Sequence, residues 1–130
     1  MSHPLSSYQS HAHAVLRIVA GFLFLWHGLS KLLGVPVPAP EAPAFVIWVG
    51  GLIELIGGGL VMVGFLARWA AFVCSGMMAA AYWTVHYPQG LLPIQNQGEL
   101  AALYCFVFLF IAAAGPGIWS VDGAGETPSK

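Results

Sequence analysis

The sequence GGLIELIGGGL, residues 50–60, places one glutamate between two clusters of glycine inside an apolar segment that covers about residues 44–66. Glycine weakens a helix in water, but between membrane helices it lets two backbones approach closely. Gly51 and Gly58 are seven residues apart, so they lie on the same side of a helix. This segment therefore predicts a membrane helix that packs closely against a neighbour, with Glu54 in the packed stripe.

The composition of the whole chain favours a lipid environment. Of its 130 residues, 58% are hydrophobic and 7% are charged, and the mean hydropathy is +0.80. Because a soluble domain carries about 25% charged residues, so few charges cannot cover a water-facing globule. The net charge of −1 offers no basic surface to nucleic acid, and Cys74 and Cys105 lack the spacing of a metal site or redox pair. We expect no metal and no covalently bound cofactor.

Four apolar segments have roughly the length that crosses a bilayer. Prolines and glycines separate them, and four prolines fall between Val35 and Pro43 alone. The chain is therefore predicted to be an all-α polytopic membrane protein, a four-transmembrane-helix bundle within residues 14–122. Residues 1–13 are expected to form a polar tail and residues 123–130 a disordered tail. The predicted spans are about 14–33, 44–66, 69–87 and 99–114.

The basic residues predict how the bundle is oriented. Four spans put Arg17, Arg68 and Lys130 on one side and Lys31 on the other. Since basic residues concentrate on the cytoplasmic side, we expect a multi-pass inner (cell) membrane protein with both termini in the cytoplasm. His27 and Lys31 would be avoided in the apolar core of a cleaved signal peptide, so we expect the first segment to be retained.

Several ionisable residues lie inside the apolar segments, where each costs about 2.5–3.5 kcal/mol on insertion scales. Because alternate spans reverse direction, all of them fall in the outer half of the bundle. Glu54 is the deepest, about 15 Å from the outer end of its helix. The sequence predicts a ligand-binding polar pocket that opens outward, formed by His27, Lys31, Glu54, Tyr82, His86 and Glu99.

Each of these residues also has a purely structural interpretation. Lys31 and Glu99 lie near segment ends, where a long side chain can extend to water. His86 precedes Tyr87-Pro88 and could be an ordinary interfacial residue. Glu54 could form an ion pair with His27 or Lys31 that only stabilises the bundle. The sequence leaves these alternatives open.

At these residues the chain resembles the DoxX family of small bacterial membrane proteins. The resemblance covers about residues 15–122, with one departure at Ala67, where the family often has threonine. It rests on RIVAGFLFLWHGLSKLLG at 17–34, GGLIELIGGGL at 50–60, Gly64, Arg68, Ala70, Ala71, His86, GELAALY at 98–104 and GPGIWSVD at 115–122.

The resemblance implies a four-helix membrane fold and a link to redox chemistry. Some members are similar to the membrane subunit of a thiosulfate:quinone oxidoreductase, and others are associated with oxidative-stress complexes or with maturation of periplasmic redox enzymes. We therefore expect a redox-linked membrane subunit that interacts with a quinone in the polar pocket. The alternative is a non-enzymatic scaffold or maturation factor for a partner oxidoreductase. The family supplies no catalytic residues, and enzymatic activity and homo-oligomer formation stay open.

Two further functions fit the sequence less well. His27 and His86 could ligate a haem, but the predicted depths of the two residues differ. Transport would need several copies to enclose a path, and no pair of broken helices is visible.

Overall fold

The computed structural model describes residues 3–124, and every regular element in that range is helical. The all-α prediction is therefore confirmed for the described residues. The longest helix, α1, follows a 3₁₀ turn at Pro4–Tyr8, and α2 contains two π-helical stretches. The helices are α1 Gln9–Leu33, α2 Val46–Val63, α3 Ala67–Ala81, α4 Pro93–Asn96, α5 Glu99–Ala114 and α6 Val121–Ala124.

The helix bounds differ from the predicted spans mainly at the two ends of the chain. Helix α1 begins at Gln9, so part of the predicted polar tail is helical; no glycine or proline after Pro4 interrupts this stretch. At the other end Gly123 and Ala124 belong to α6 and not to a disordered tail. The rest of that predicted tail, residues 125–130, lies outside the described residues.

Two helical stretches, Pro4–Leu33 and Val46–Val63, are long and apolar enough to cross a membrane. Helix α5 is apolar but shorter, and it has the predicted bounds. Helix α3 continues beyond Ala81 through a π-helical stretch, Tyr82–His86. The four-span arrangement stays a prediction, although the chain has four helices in the predicted places.

Helices α1 and α2 approach closely through paired glycines. A methyl group on Gly21 would lie 2.6 Å from the carbonyl oxygen of Gly58, and one on Gly28 would lie 2.6 Å from that of Gly51. Both distances are far inside van der Waals contact, so only glycine allows this approach. The close packing predicted from the seven-residue spacing of Gly51 and Gly58 is present.

Helix α5 completes the core against α1 and α3. The hydroxyl of Ser75 on α3 donates to the carbonyl oxygen of Cys105 over 2.7 Å. Across the seam with α1, the rings of Phe24 and Phe108 lie 4.7 Å apart, and both side chains are buried. The aromatic core therefore lies between α1 and α5. The polar residues His27 and Lys31 lie on the next two turns of α1.

A buried arginine joins the N-terminal half of α1 to residues 115–122. These residues follow α5, and we call them the C-terminal hook. Arg17 is 0% exposed, and its Nε donates to the carbonyl oxygen of Val61 over 3.1 Å. Arg17 therefore is not a surface charge, although it stays one of the basic residues from which the orientation was predicted. Its remaining acceptors are the hook carbonyl oxygens of Pro116, Ile118 and Trp119.

Asp122 at the end of the hook caps the turn between α2 and α3. Its carboxylate accepts from the backbone N–H groups of Leu66 and Ala67, each over 3.0 Å, and its own N–H donates to Gly64 over 2.9 Å. The hook thus connects α1, α2, α3 and the end of α5. Arg17 and Lys31 are fourteen residues apart on α1, so the contacts of Arg17 with the hook lie about 21 Å from Lys31.

Candidate functional site

The structure divides the six predicted pocket residues into two groups and one isolated residue. Lys31 contacts Glu54, with His27 one turn away on α1, while Tyr82 and His86 meet at the end of α3. Glu99 stands apart from both. Within residues 3–124 no hydrogen bond connects the two groups, so one shared pocket stays a prediction.

Lys31 and Glu54 form an ion pair between α1 and α2. The Lys31 Nζ lies 2.5 Å from Glu54 Oε1, and the side chains are 22% and 3% exposed. The second carboxylate oxygen, Oε2, is buried and has no hydrogen-bond partner among the described residues. The pair therefore has an accessible cationic side at Lys31 and a buried acceptor at Glu54.

The local backbone explains why these two side chains meet. Glu54 lies in the π-helical stretch Ile53–Gly57, a helix form that is often found at functional sites. A methyl group on Gly50 would lie 3.8 Å from the Lys31 ammonium, and one on Gly51 would lie 3.2 Å from the Lys31 Cβ. A side chain at Gly51 would therefore crowd the start of the Lys31 side chain, whereas one at Gly50 would only touch its ammonium.

His27 and Tyr104 complete what we call the Lys31–Glu54 cluster: His27, Lys31, Glu54 and Tyr104. The His27 ring is exposed and lies edge-on to the Tyr104 ring, with 6.1 Å between centroids. Tyr104 is 8% exposed and stacks on Phe108. The cluster lies along the seam between α1 and α5, with Glu54 behind it on α2.

The second group closes the connection between α3 and α5 through Asn96, which is 1% exposed. The Asn96 side chain donates to Tyr82 Oη over 3.3 Å and to the carbonyl oxygen of Gly90 over 2.9 Å. His86 Nδ1 lies 3.0 Å from the Asn96 carbonyl oxygen, and Asn96 Oδ1 accepts from Gly98 N–H. These bonds order the loop between α3 and α5, and they give His86 a structural role there that differs from a plain interfacial residue.

Glu99 is the first residue of α5 and is exposed. It lines a surface depression with Gln97, Leu100 and Leu103, and its carboxylate makes no hydrogen bond to the described residues. An acidic side chain at this position is favoured by the positive end of the helix dipole. Its position therefore fits the structural interpretation better than a place in the site.

The Lys31–Glu54 cluster combines three chemical capacities in one place. Lys31 presents an ammonium held by its counterion, and His27 presents an imidazole whose ring nitrogens can donate or accept a hydrogen bond. Glu54 presents a buried oxygen that can accept a hydrogen bond or a proton. Within the described part of the chain no group of three His, Cys, Asp or Glu residues could hold a metal ion.

Sequence comparison then identifies the family. The family model for DoxX matches residues 12–87, which is more than half of the chain. This chain belongs to the DoxX family. Family membership and the two apolar helices together make this DoxX protein a membrane protein.

Relatives of this DoxX protein align over most of its length. It is 38% identical to an uncharacterized protein of Haemophilus influenzae over 125 residues, covering 91% of this chain and 93% of the relative. It is 28% identical to the Bacillus subtilis protein named "Putative oxidoreductase CatD", covering 83% and 82%. It is also 28% identical to "Inner membrane protein YqjF" of Escherichia coli, covering 83% and 87%. No solved structure matches.

Four residues of this DoxX protein make hydrogen bonds or aromatic contacts that the sequence analysis did not assign to them. Arg17 was counted as a surface charge, and Tyr104 and Asp122 were noted only within family motifs. The available signal for Arg17 was an arginine inside an apolar segment, three residues after the predicted start of that segment. The four residues are Arg17, Asn96, Tyr104 and Asp122.

Proposed function

We propose that this DoxX protein is a four-span subunit of a redox system in the inner membrane and binds a quinone at the Lys31–Glu54 cluster. One observation carries the proposal. The ammonium of Lys31 is held 2.5 Å from a buried carboxylate, yet its side chain is 22% exposed and lies one helical turn from His27. A cation fixed in this way can donate to a ligand that enters between α1 and α5.

The chemistry of a quinone fits these side chains. A quinone carbonyl needs a hydrogen-bond donor, which Lys31 and His27 both supply, and its reduction also consumes protons. His27 can deliver a proton from the exposed side, and the free Oε2 of Glu54 can hold one on the buried side. The ring of Tyr104 offers an aromatic surface next to the donors.

The relatives agree with a redox role in a membrane. One relative is named as a putative oxidoreductase and another as an inner membrane protein. We extend both descriptions to this chain as part of the proposal. A partner oxidoreductase subunit would supply the electrons for quinone reduction; Cys74 and Cys105 are both free thiols in the described part of the chain.

The helices support four spans with both termini in the cytoplasm. Helix α3 and its π-helical extension cover residues 67–86, about 30 Å at 1.5 Å per residue, and α5 covers about 24 Å. The proposed orientation follows from Arg17, Arg68 and Lys130 on one side against Lys31 on the other. Alkaline phosphatase fused at residue 40 should be active and at residue 130 inactive; the reverse pattern would overturn the orientation.

Quinone binding can be tested on the purified protein in lipid nanodiscs. Trp26 is adjacent to His27 and 39% exposed, so a bound quinone should quench tryptophan fluorescence. Titration with ubiquinone-1 should saturate in the wild type, and Lys31→Met and His27→Phe should weaken binding by about tenfold, since each removes one charged or polar contact.

Two matched controls separate this site from general effects. His86→Phe and Glu99→Gln change predicted pocket residues that lie outside the Lys31–Glu54 cluster, so both should bind like the wild type. Quenching that rises linearly without saturation, as in protein-free nanodiscs with added tryptophan ester, would show partition into lipid alone. Equal binding by all four variants would also overturn the proposal.

The second candidate function is a scaffold that holds a partner oxidoreductase at the membrane. The ion pair favours this candidate, because Lys31 and Glu54 neutralise each other without a ligand. The double variant Lys31→Met/Glu54→Gln keeps the shape of the cluster and removes its charges. A scaffold should retain its co-purifying oxidoreductase and that enzyme's activity in this variant, whereas a quinone-binding subunit should lose the activity.

A further inference from the structure

Arg68 is an exposed cation whose guanidinium is held in place on one side. Its Nη1 donates to the carbonyl oxygens of Ala112 and Ala113, over 3.2 and 2.6 Å. These carbonyls belong to the last turn of α5, where no intrahelical partner exists. A methyl group on Gly115 would lie 2.7 Å from Nη2, so the missing side chain lets the guanidinium lie flat against the backbone. Arg68 therefore has a defined position and orientation.

The charge of Arg68 is not balanced by an acid within the described residues. Lys31 is paired with Glu54, and the buried Arg17 is surrounded by carbonyl oxygens. Asp122 is the acid of the neighbouring hook, and both of its carboxylate oxygens accept hydrogen bonds from backbone N–H groups. Since the acceptors of Arg68 are neutral carbonyls, its positive charge remains available to an anion.

Apolar grooves lie on both sides of the next residue, Trp69, which is 74% exposed. One groove, about 250 Å³, is lined by Arg68, Trp69, Phe72 and Ala112. The other, about 340 Å³, runs between α2 and α3 and is lined by apolar residues and glycine, including Leu60 and Trp69. A cation that lines one of two neighbouring apolar grooves matches a molecule with an anionic head and a hydrocarbon chain.

We propose that Arg68 binds the phosphate of an acidic phospholipid, with an acyl chain lying along Trp69. The planar guanidinium pairs with phosphate oxygens through two parallel N–H groups, and an indole at the interface contacts the upper part of the chain. Because no acid balances Arg68, a lipid with net negative charge is preferred over a zwitterionic one. This site lies at the opposite end of the bundle from the Lys31–Glu54 cluster and does not depend on quinone binding.

The test is lipid retention by the full-length protein. Protein from nanodiscs that contain equal amounts of phosphatidylglycerol and phosphatidylcholine is delipidated in mild detergent and examined by native mass spectrometry. The wild type should retain phosphatidylglycerol preferentially. Arg68→Gln should reduce that preference about fivefold, the contribution expected of one basic residue near an anionic head group. Arg68→Lys, which keeps the charge and loses the planar fork, should fall between the two.

Control variants distinguish this site from general charge attraction. Lys130→Gln removes one positive charge from the same chain and should leave the preference unchanged; an equal loss would overturn the proposal. Trp69→Ala keeps Arg68 and should shorten retention of the lipid. This variant tests the site if Arg68→Gln does not fold. Equal retention of both lipids by the wild type, or full displacement of the lipid by inorganic phosphate, would also overturn the proposal.

Discussion

Arg17 Nη2 donates to the carbonyl oxygen of Trp119 over 2.6 Å, and so joins residues that are 102 positions apart in the chain. The same guanidinium reaches Val61 on α2 and two further carbonyls of the C-terminal hook. One side chain therefore determines how the end of α5 returns to the start of α1. At the opposite end of α1, Lys31 makes one ion pair, with Glu54, and no comparable set of hydrogen bonds to carbonyl oxygens among the described residues.

Replacing Arg17 should destabilise the bundle strongly. Arg17→Met removes the donor of the Val61 carbonyl oxygen and of three hook carbonyl oxygens, and we expect a loss of about 3 kcal/mol in the free energy of unfolding. Unfolding in mixed dodecyl maltoside and SDS micelles measures it. Val15→Met puts the same side chain on the exposed face of α1, where Val15 is 49% exposed, and should change stability little. Equal stability of the two variants would contradict the role of Arg17.

Asp122 should stabilise the turn between α2 and α3. Its carboxylate accepts two N–H groups at Leu66 and Ala67, and Leu66 has a left-handed backbone with φ 50° that few residues adopt freely. Asp122→Ala should cost about 1–2 kcal/mol, the usual loss for a helix cap. Hydrogen exchange of the two amides should accelerate, whereas Glu99→Ala, which removes an exposed carboxylate elsewhere, should leave them protected.

The two halves of the ion pair should not be equivalent. Lys31→Met leaves the Glu54 carboxylate buried without a partner, and we expect a loss of about 3 kcal/mol. Glu54→Gln leaves a lysine that can turn its partly exposed ammonium to water, so the loss should be about 1 kcal/mol. The double variant should be more stable than Lys31→Met alone in the same micelle assay. If Glu54→Gln proves the more damaging single change, the assignment of the buried charge is wrong.

The glycines of α1 and α2 should differ sharply in their tolerance of alanine. Gly21→Ala forces a methyl group to within 2.6 Å of the Gly58 carbonyl oxygen, so the helices must separate, at a cost of about 1–3 kcal/mol. Gly59 has open space where a methyl group would lie, so Gly59→Ala should be neutral or stabilising. Thermal unfolding of both variants compares the two positions, and similar shifts in Tm would contradict the close packing of α1 on α2.

Part of the candidate site was predictable, because a buried charge requires a partner. A carboxylate in the middle of an apolar segment requires a partner, and Lys31 and His27 were the basic residues at a suitable depth. The sequence did not choose between them, since the two lie on one face of α1. The choice depends on side-chain length and on the space that Gly51 leaves beside Lys31.

Other contacts were not predictable because they depend on loops. His86 and Tyr82 were expected to join the pocket, but Asn96 from the short helix α4 reaches both of them. Arg17 was interpreted as a cytoplasmic surface charge, because nothing local shows that residues 115–122 return over it. Backbone carbonyls carry no sequence signature, so an arginine that binds them is indistinguishable from an exposed one.

The sequence alone determined that this protein is an all-helical membrane protein, where its main helices lie, and that the stripe of Gly51 and Gly58 packs closely. These properties follow from hydropathy and spacing summed along each segment. The pairing of Glu54 with Lys31 and the burial of Arg17 beneath the C-terminal hook become apparent only once the helices are packed together. Those choices depend on how each helix is rotated and how loops cross its ends, which no single segment encodes.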